Sequence, residues 1–385
     1  MLTLLALAAP ASAQDYVVDI GEEITIDVGG GWNRTHPAED GWHFLFSAGG
    51  DYNHAPMGDD FSWDDQQRRL LTGFTNLQDH AITKCPDGSW LHAASATIDV
   101  VDDSAYVWRY DADFNVLASA TIEEQVEERK HNDLVVACTQ EFTAVGFTSR
   151  DLRGGELFRY DRDLNLLGTT ALDQAPTVSG TAFLRDNTNG GLIHAGFELG
   201  SEDTDFKITR YDGDVGFVDQ LLLDVTPAGQ RCYWSQGFLR IGDFYAVAHV
   251  CRDDSAGWAG DTGDVWLQIL DADFNVLESH QVTHNTLPEG GMRPFLARKG
   301  EILLMSYDKQ VRPRMHEITL DLVAFGLAEG DDSGLVVTDD TGAGKDDGGG
   351  GGRCGGCTSG PRGGMFWGLL GLVALSRRGR RTPRA

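Results

Sequence analysis

Helical periodicity is missing from residues 30–327 of this 385-residue chain. No apolar stripe recurs there at the spacing of an amphipathic helix, so the region is read as all-β. Long apolar runs are missing as well. The run Met365–Leu375 has eleven residues. As a helix it would span only about 16 Å of a ~30 Å hydrocarbon core. That excludes a permanent membrane anchor. Positive charge is scarce: 31 Lys and Arg stand against 59 Asp and Glu, a net charge of −28. Seven of the arginines lie from Arg353 onward, where there is no acid, so residues 1–352 carry 24 − 59 = −35. Such a body repels nucleic acid and anionic lipid and excludes both as partners. Catalytic signatures are absent too. There is no G-x-S-x-G, H-E-x-x-H or P-loop pattern, and the carboxylates are too many for one pair to be picked as acid and base.

What is present begins at the two ends. The first residues, MLTLLALAAPASAQD, join an apolar run to Ala11-Ser12-Ala13. This is a signal-peptide core with a small-residue cleavage site, placing the cut between Ala13 and Gln14. The other end reads GGGGGRCGGCTSGPRGGMFWGLLGLVALSRRGRRTPRA. Cys-Gly-Gly-Cys, a short apolar helix and Arg-Arg-Gly-Arg-Arg follow one another in order. This tail resembles the MYXO-CTERM sorting signal of myxobacteria and their relatives. The resemblance covers residues 353–381 and implies recognition by a membrane protease and display on the cell surface. Its motif cysteine would be Cys354 or Cys357, with Cys357 nearer the apolar run. Between body and tail, residues 329–352 are rich in Gly and Asp and poor in apolar residues, the composition of a flexible stalk. The expected organisation is a signal peptide (1–13), a folded body (14–328), an acidic linker (329–352) and a sorting signal with a short hydrophobic helix (353–385).

The body repeats itself. YDADFNVL, YDRDLNLL, YDGDVGFV and LDADFNVL place Asp113, Asp163, Asp214 and Asp273 at intervals of 50, 51 and 59, and a degenerate copy places Asp321 a further 48 along. A second marker, a short apolar strand, starts near Trp42, Trp90, Phe142, Leu192, Phe244 and Ile302. Each unit holds four β-like runs separated by Gly/Asp turns. A period near 50 with four strands per repeat predicts a six-bladed β-propeller. Five or seven blades also fit, since the terminal copies are degenerate and can share strands to close the ring. A β-sandwich array is the alternative fold. Asp-x-Asp-x-Asn lacks the later Gly and Glu of an EF-hand, so it is read as a hairpin turn with side chains bonded to the local backbone.

In such a ring, the loop after each second strand shares a face with the segment that leads into the next blade. Five of the six second-strand loops are acidic, with the first and fifth longest. His80, His131 and His284 lead into three blades, Arg231 and Arg293 into others. This rim is a candidate site for a divalent cation or a cationic ligand. No cofactor is assured; calcium is the candidate ion. His43, His92, His194 and His249 fall within strands and are read as packed side chains.

An exported chain permits disulfides. Cys232 and Cys251 lie equidistant from 241.5, so a symmetric hairpin sets them opposite one another. Cys85 and Cys138 then pair by elimination, tying adjacent blades. The expected role is a non-catalytic binding or structural module of the cell envelope. Its partners are the sorting protease and export machinery, and an extracellular glycan or protein ligand. The alternative is a glycan hydrolase or lyase on a propeller scaffold. An enzyme would gather ionisable groups with shifted pKa at the channel mouth; a scaffold would spread acids along the rim.

Overall fold

A computed structural model of the protein describes residues 15–328, apart from 49–50, 74–76, 98–101, 128–130, 140, 150–153, 173–181, 186–189, 198–205, 254–262, 286–289 and 311. The expected signal peptide with Ala13 and Gln14, the expected linker and the tail with Cys354 and Cys357 lie outside the described residues. Two short strands come first, β1 (Val17–Ile20) and β2 (Ile24–Thr25). Blade 1 holds β3 (Gly31–Pro37), β4 (Trp42–Ala48), β5 (Asp51–Met57) and β6 (Arg69–Gly73). Blade 2 holds β7 (Leu77–Lys84), β8 (Trp90–Thr97), β9 (Asp102–Tyr110) and β10 (Val116–Glu127). Blade 3 holds β11 (His131–Cys138), β12 (Thr143–Ser149), β13 (Gly154–Tyr160) and β14 (Leu166–Ala171). Blade 4 holds β15 (Ala182–Arg185), β16 (Leu192–Phe197), β17 (Phe206–Tyr211) and β18 (Phe217–Leu223). Blade 5 holds β19 (Gln230–Ile241), β20 (Phe244–Asp253), β21 (Asp264–Leu270) and β22 (Val276–Gln281). Blade 6 holds β23 (Gly291–Lys299), β24 (Ile302–Lys309) and β25 (Arg312–Leu320).

All six sheets are antiparallel with neighbouring strands in chain order. The first strands touch one another in turn, β7 to β11, β11 to β15, β15 to β19, β19 to β23 and β23 to β3. Arg34 of β3 reaches the His80 carbonyl of β7, so the circuit closes around an axis. The result is the six-bladed propeller that the period predicts. Blade 6 borrows its fourth strand from the other end of the chain: β1 pairs with β25, Val17 opposite Leu320. The degenerate copy at Asp321 follows from this closure. Among the described residues no strand follows it in sequence, and the Asp321 N–H instead meets the Tyr16 carbonyl at 3.0 Å.

The repeated turn is built from its first aspartate. In blade 2 the Asp111 carboxylate accepts from the N–H groups of Asp113 (2.9 Å) and Asn115 (2.8 Å), and from the Asn115 amide at 2.8 Å. Asp161, Asp212 and Asp271 accept the corresponding backbone bonds. The fourth residue of each turn, Phe114, Leu164, Val215 or Phe274, has a φ between 59° and 65°. Glycine is the usual occupant of such a left-handed position. Here the residue is apolar because it is a plug. All four are buried. Leu164 of blade 3 belongs to one hydrophobic cluster with Leu91 of blade 2, and Val215 of blade 4 to one with Ala144 of blade 3. Burial of the plug between two blades offsets the cost of about 1–2 kcal/mol for a left-handed L-residue.

Blade 1 has the same turn in disguise. Phe61 has a φ of 61°, the Gly58 N–H donates to the Ser62 carbonyl, and the Phe61 N–H donates to Gly58. Gly58 replaces the leading aspartate, which hid this copy from the sequence comparison. The long first loop expected after β4 is therefore corrected. Asp51–Met57 is a strand whose polar Asn53 and His54 are buried, and Asp59, Asp60, Asp64 and Asp65 belong to the third-to-fourth-strand connection on the opposite face. Buried polar residues made a strand read as a loop.

Candidate functional site

Near its start, the first strand of at least five blades carries a bulge. The register slips between Gly31 and Arg34 in β3, Leu77 and Asp79 in β7, Asn132 and Val135 in β11, Tyr233 and Gly237 in β19, and Met292 and Phe295 in β23. A bulge in an innermost strand re-aims side chains at the channel mouth. In two adjacent blades the bulge holds a non-glycine residue in the left-handed region: Trp32 (φ 53°) and Arg293 (φ 54°). Their side chains meet, with the Arg293 guanidinium 4.9 Å from the Trp32 ring centre.

A frame of cross-blade contacts holds this pair. Asp308 of β24 accepts from the Trp32 N–H (2.6 Å) and the Asn33 amide (2.6 Å), and lies 3.7 Å from Arg293. His80 Nε2 sits 3.1 Å from the Trp32 carbonyl, the ring nitrogen donating. Asp79 accepts from the His80 N–H at 2.7 Å and from Leu134 N–H of blade 3 at 2.8 Å. Blades 6, 1, 2 and 3 are thus laced at the mouth by two carboxylates and one imidazole. Burial raises the pKa of Asp79 and Asp308, lowers that of Arg34, and pushes His80 well below the ordinary imidazole value.

Arg34 escaped the sequence reading. It lies opposite Leu45, the fourth residue of the second-strand marker. The same place is Ala81, Val136, Ala182, Phe238 and Leu296 in the other blades. Five apolar residues and one buried arginine at an equivalent position would have marked it, had the repeats been aligned strand by strand. Its guanidinium stands 5.0 Å over the Phe295 ring and donates to the His80 carbonyl at 3.2 Å. A buried cation bridging three blades puts positive charge where a cation site was expected.

Of the five channel-mouth residues singled out in sequence, His80 and Arg293 come together around Trp32. His284 is exposed, beyond the end of β22. Arg231 pairs with Arg252 in blade 5. His131 opens β11 opposite Ser149, and its side chain lies outside the described residues. So does most of the acidic rim: residues 98–101, 150–153, 198–205 and 254–262. Asp264, at the end of that fifth loop, accepts from the Asn285 N–H at 2.6 Å and the Gln281 amide at 3.0 Å. His92, His194 and His249 are fully buried, as packed strand histidines.

Both disulfides form as paired in sequence, Cys85–Cys138 between blades 2 and 3 and Cys232–Cys251 within blade 5. The second forms for a different reason from the symmetric hairpin. Ile241 pairs with Phe244, so the turn is centred at 242.5 and a straight register would set Cys251 opposite residue 485 − 251 = 234. The bulge between Tyr233 and Gly237 moves the register by two and delivers Cys232 instead. Among the described residues, the one trio of metal-ligating atoms within 4.8 Å of each other is Cys232, His249 and Cys251.

On the opposite face, a cleft of about 410 Å³ between blades 1 and 2 is lined by His43, His54, Arg68, Arg69 and Phe114. His43 Nδ1 and His54 Nε2 share a hydrogen bond of 3.0 Å. Burial pushes these histidines down to about 4 and about 3, so the pair is neutral at physiological pH.

The chain is therefore an all-β, six-bladed propeller with a laced channel mouth and two disulfides. No known protein family matches its sequence, and no curated protein does. Several solved structures resemble this chain. A protein of unknown function from Dyadobacter fermentans is 13% identical with a TM-score of 0.56, over 79% of this chain and 99% of that one. A subtype N10 neuraminidase-like protein from a little yellow-shouldered bat source is 10% identical with a TM-score of 0.48, over 79% and 99% of the two chains. A streptogramin B lyase is 9% identical with a TM-score of 0.45, over 78% and 97%. At these identities the likeness is one of fold alone.

Proposed function

We propose that the protein is an exported, surface-displayed binding module of the cell envelope that captures an acidic extracellular glycan at its channel mouth. One observation carries this reading: Trp32 and Arg293, both left-handed, are held against each other in adjacent bulges. Non-glycine residues in that conformation persist where the surroundings over-determine them, and they cluster at ligand-contacting sites. An aromatic edge beside a guanidinium suits a sugar ring bearing a carboxylate or sulfate. Arg34 behind the pair adds positive charge within an otherwise acidic body, so selectivity for an anion would be local. The two disulfides favour an oxidising compartment, and the sorting protease acting at Cys357 or Cys354 would release the tail there.

The rival reading, a glycan hydrolase or lyase, draws on the gathering of ionisable groups with shifted pKa at this mouth. Against it, both carboxylates are engaged by N–H donors of neighbouring blades, an arrangement that builds a frame. A glycan array with the mature protein, in calcium and in chelator, tests the proposal. Retention of acidic glycans, reduced at least tenfold in Trp32→Ala and Arg293→Ala, is expected. Release of shortened glycans that stops in Asp308→Asn would establish the enzyme instead. Enhanced retention in calcium would restore the rim cation; the same retention in chelator would remove it.

A further inference from the structure

His249 lies at the centre of β20 with no surface exposed, and neither of its ring nitrogens has a hydrogen-bond partner. A buried imidazole with both nitrogens idle is costly. Its neighbours explain what it could serve. The sulfurs of Cys232 and Cys251 and a nitrogen of His249 all lie within 4.8 Å of one another, and all three residues are buried. Two of them are brought there by the two-residue register shift in β19, without which Cys251 would face residue 234. Two sulfurs and one imidazole nitrogen are a donor set that suits zinc.

We infer that Cys232, Cys251 and His249 form a redox-gated zinc site, closed while the disulfide stands and open to a zinc ion once it is reduced. The step balances. A dithiol reductant closes into its own cyclic disulfide, the Cys232–Cys251 bond breaks, and two electrons and two protons pass to the cysteines. Zinc then displaces both thiol protons and accepts the neutral lone pair of one His249 nitrogen. Opening the S–S bond lets the sulfurs separate while the strand pair keeps them in register with the imidazole. Among the described residues no histidine joins the Cys85–Cys138 bridge in such a ligand trio, so that pair is removed for the test to keep its thiols from competing for zinc.

The test uses the mature protein in a Cys85→Ala/Cys138→Ala background, with thiols counted before and after treatment with a dithiol. Zinc uptake is read by competition with a chelating dye, and folding by near-ultraviolet circular dichroism. The expected result is no zinc bound by the oxidised protein and one equivalent bound by the reduced protein, with affinity lowered at least tenfold in His249→Leu. Cys251→Ser, which keeps the imidazole but removes one sulfur, should lose uptake to the same degree, so that a misfolded His249→Leu leaves the question answerable. Uptake by the oxidised protein, equal uptake in the reduced parent and both variants, or a reduced protein that unfolds and is not restored by zinc would each overturn the site.

Discussion

Single residues decide the acid sensitivity of this fold. His36, His54, His92, His194 and His249 are pushed down to about 3, and His43 to about 4, with burial the largest cause in each. A folded-state value below the unfolded 6.5 means that unfolding takes up protons. Their contribution is complete above pH 6.5 and is lost as the pH falls from there toward 3. The loss is on the order of 1 kcal/mol per fully buried histidine per pH unit. Resistance to thermal unfolding should therefore fall between pH 6.5 and 5, above the range where ordinary carboxylates titrate, and His92→Leu should flatten that slope; an unchanged slope would refute the assignment. The turn plugs supply a second residue-level prediction. Phe274→Ala should cost ~3 kcal/mol or more, and Phe274→Gly should recover about 1 kcal/mol of that by relaxing the left-handed backbone. Denaturant midpoints check the order Phe, then Gly, then Ala. The aspartates of these turns were legible in sequence, since their chemistry is local. The apolar left-handed residue beside them was visible as a letter but not as a plug, because its partner lies in another blade.

Among elements, the closing strand β1 is the most exposed to failure. It pairs with β25 on one side, and Glu278 of blade 5 accepts from its flank, from the Tyr16 N–H at 2.7 Å and the Val17 N–H at 3.2 Å. Hydrogen bonds to a charged acceptor are the stronger kind. Glu278→Ala should cost about 2 kcal/mol and raise amide exchange at Tyr16–Ile20 ahead of the inner strands. Equal exchange in both proteins would show that the ladder to β25 alone holds the strand. The inner-strand bulges belong to this scale too. Their periodic placement escaped the sequence reading because a bulge leaves no signature when its extra residue is tryptophan in one blade and arginine in another.

For the whole molecule, ring closure couples the blades, and the two disulfides differ in what they close. The Cys85–Cys138 bridge spans 53 residues and two blades, Cys232–Cys251 only 19 within one hairpin. Loop-closure entropy assigns them upper values of about 4 and about 3 kcal/mol. Replacing the first pair by alanine should therefore lower stability more, and should make unfolding less cooperative between blades 2 and 3. Calorimetry of the two double variants decides it; a larger loss from the blade 5 pair would place the constraint in local geometry instead. A ring is legible in the sequence at this scale because its signature is global as well: two markers, one period, six copies of the apolar strand.

The sequence by itself determined the blade architecture, the strand order within a blade and the turn chemistry, because each rests on a local pattern repeated often enough to be counted. The count of six, which the sequence left open against five or seven, was decided by the pairing of β1 with β25. The sequence pointed to the two cysteine pairs, but the bulge that brings Cys232 opposite Cys251 belongs to the structure. Only the tertiary structure decided the site. Trp32, Arg34, His80, Arg293 and Asp308 are spread over 277 positions of the chain, since 308 − 32 + 1 = 277. They meet because the first strands converge on one axis and because β1 draws the last blade against the first.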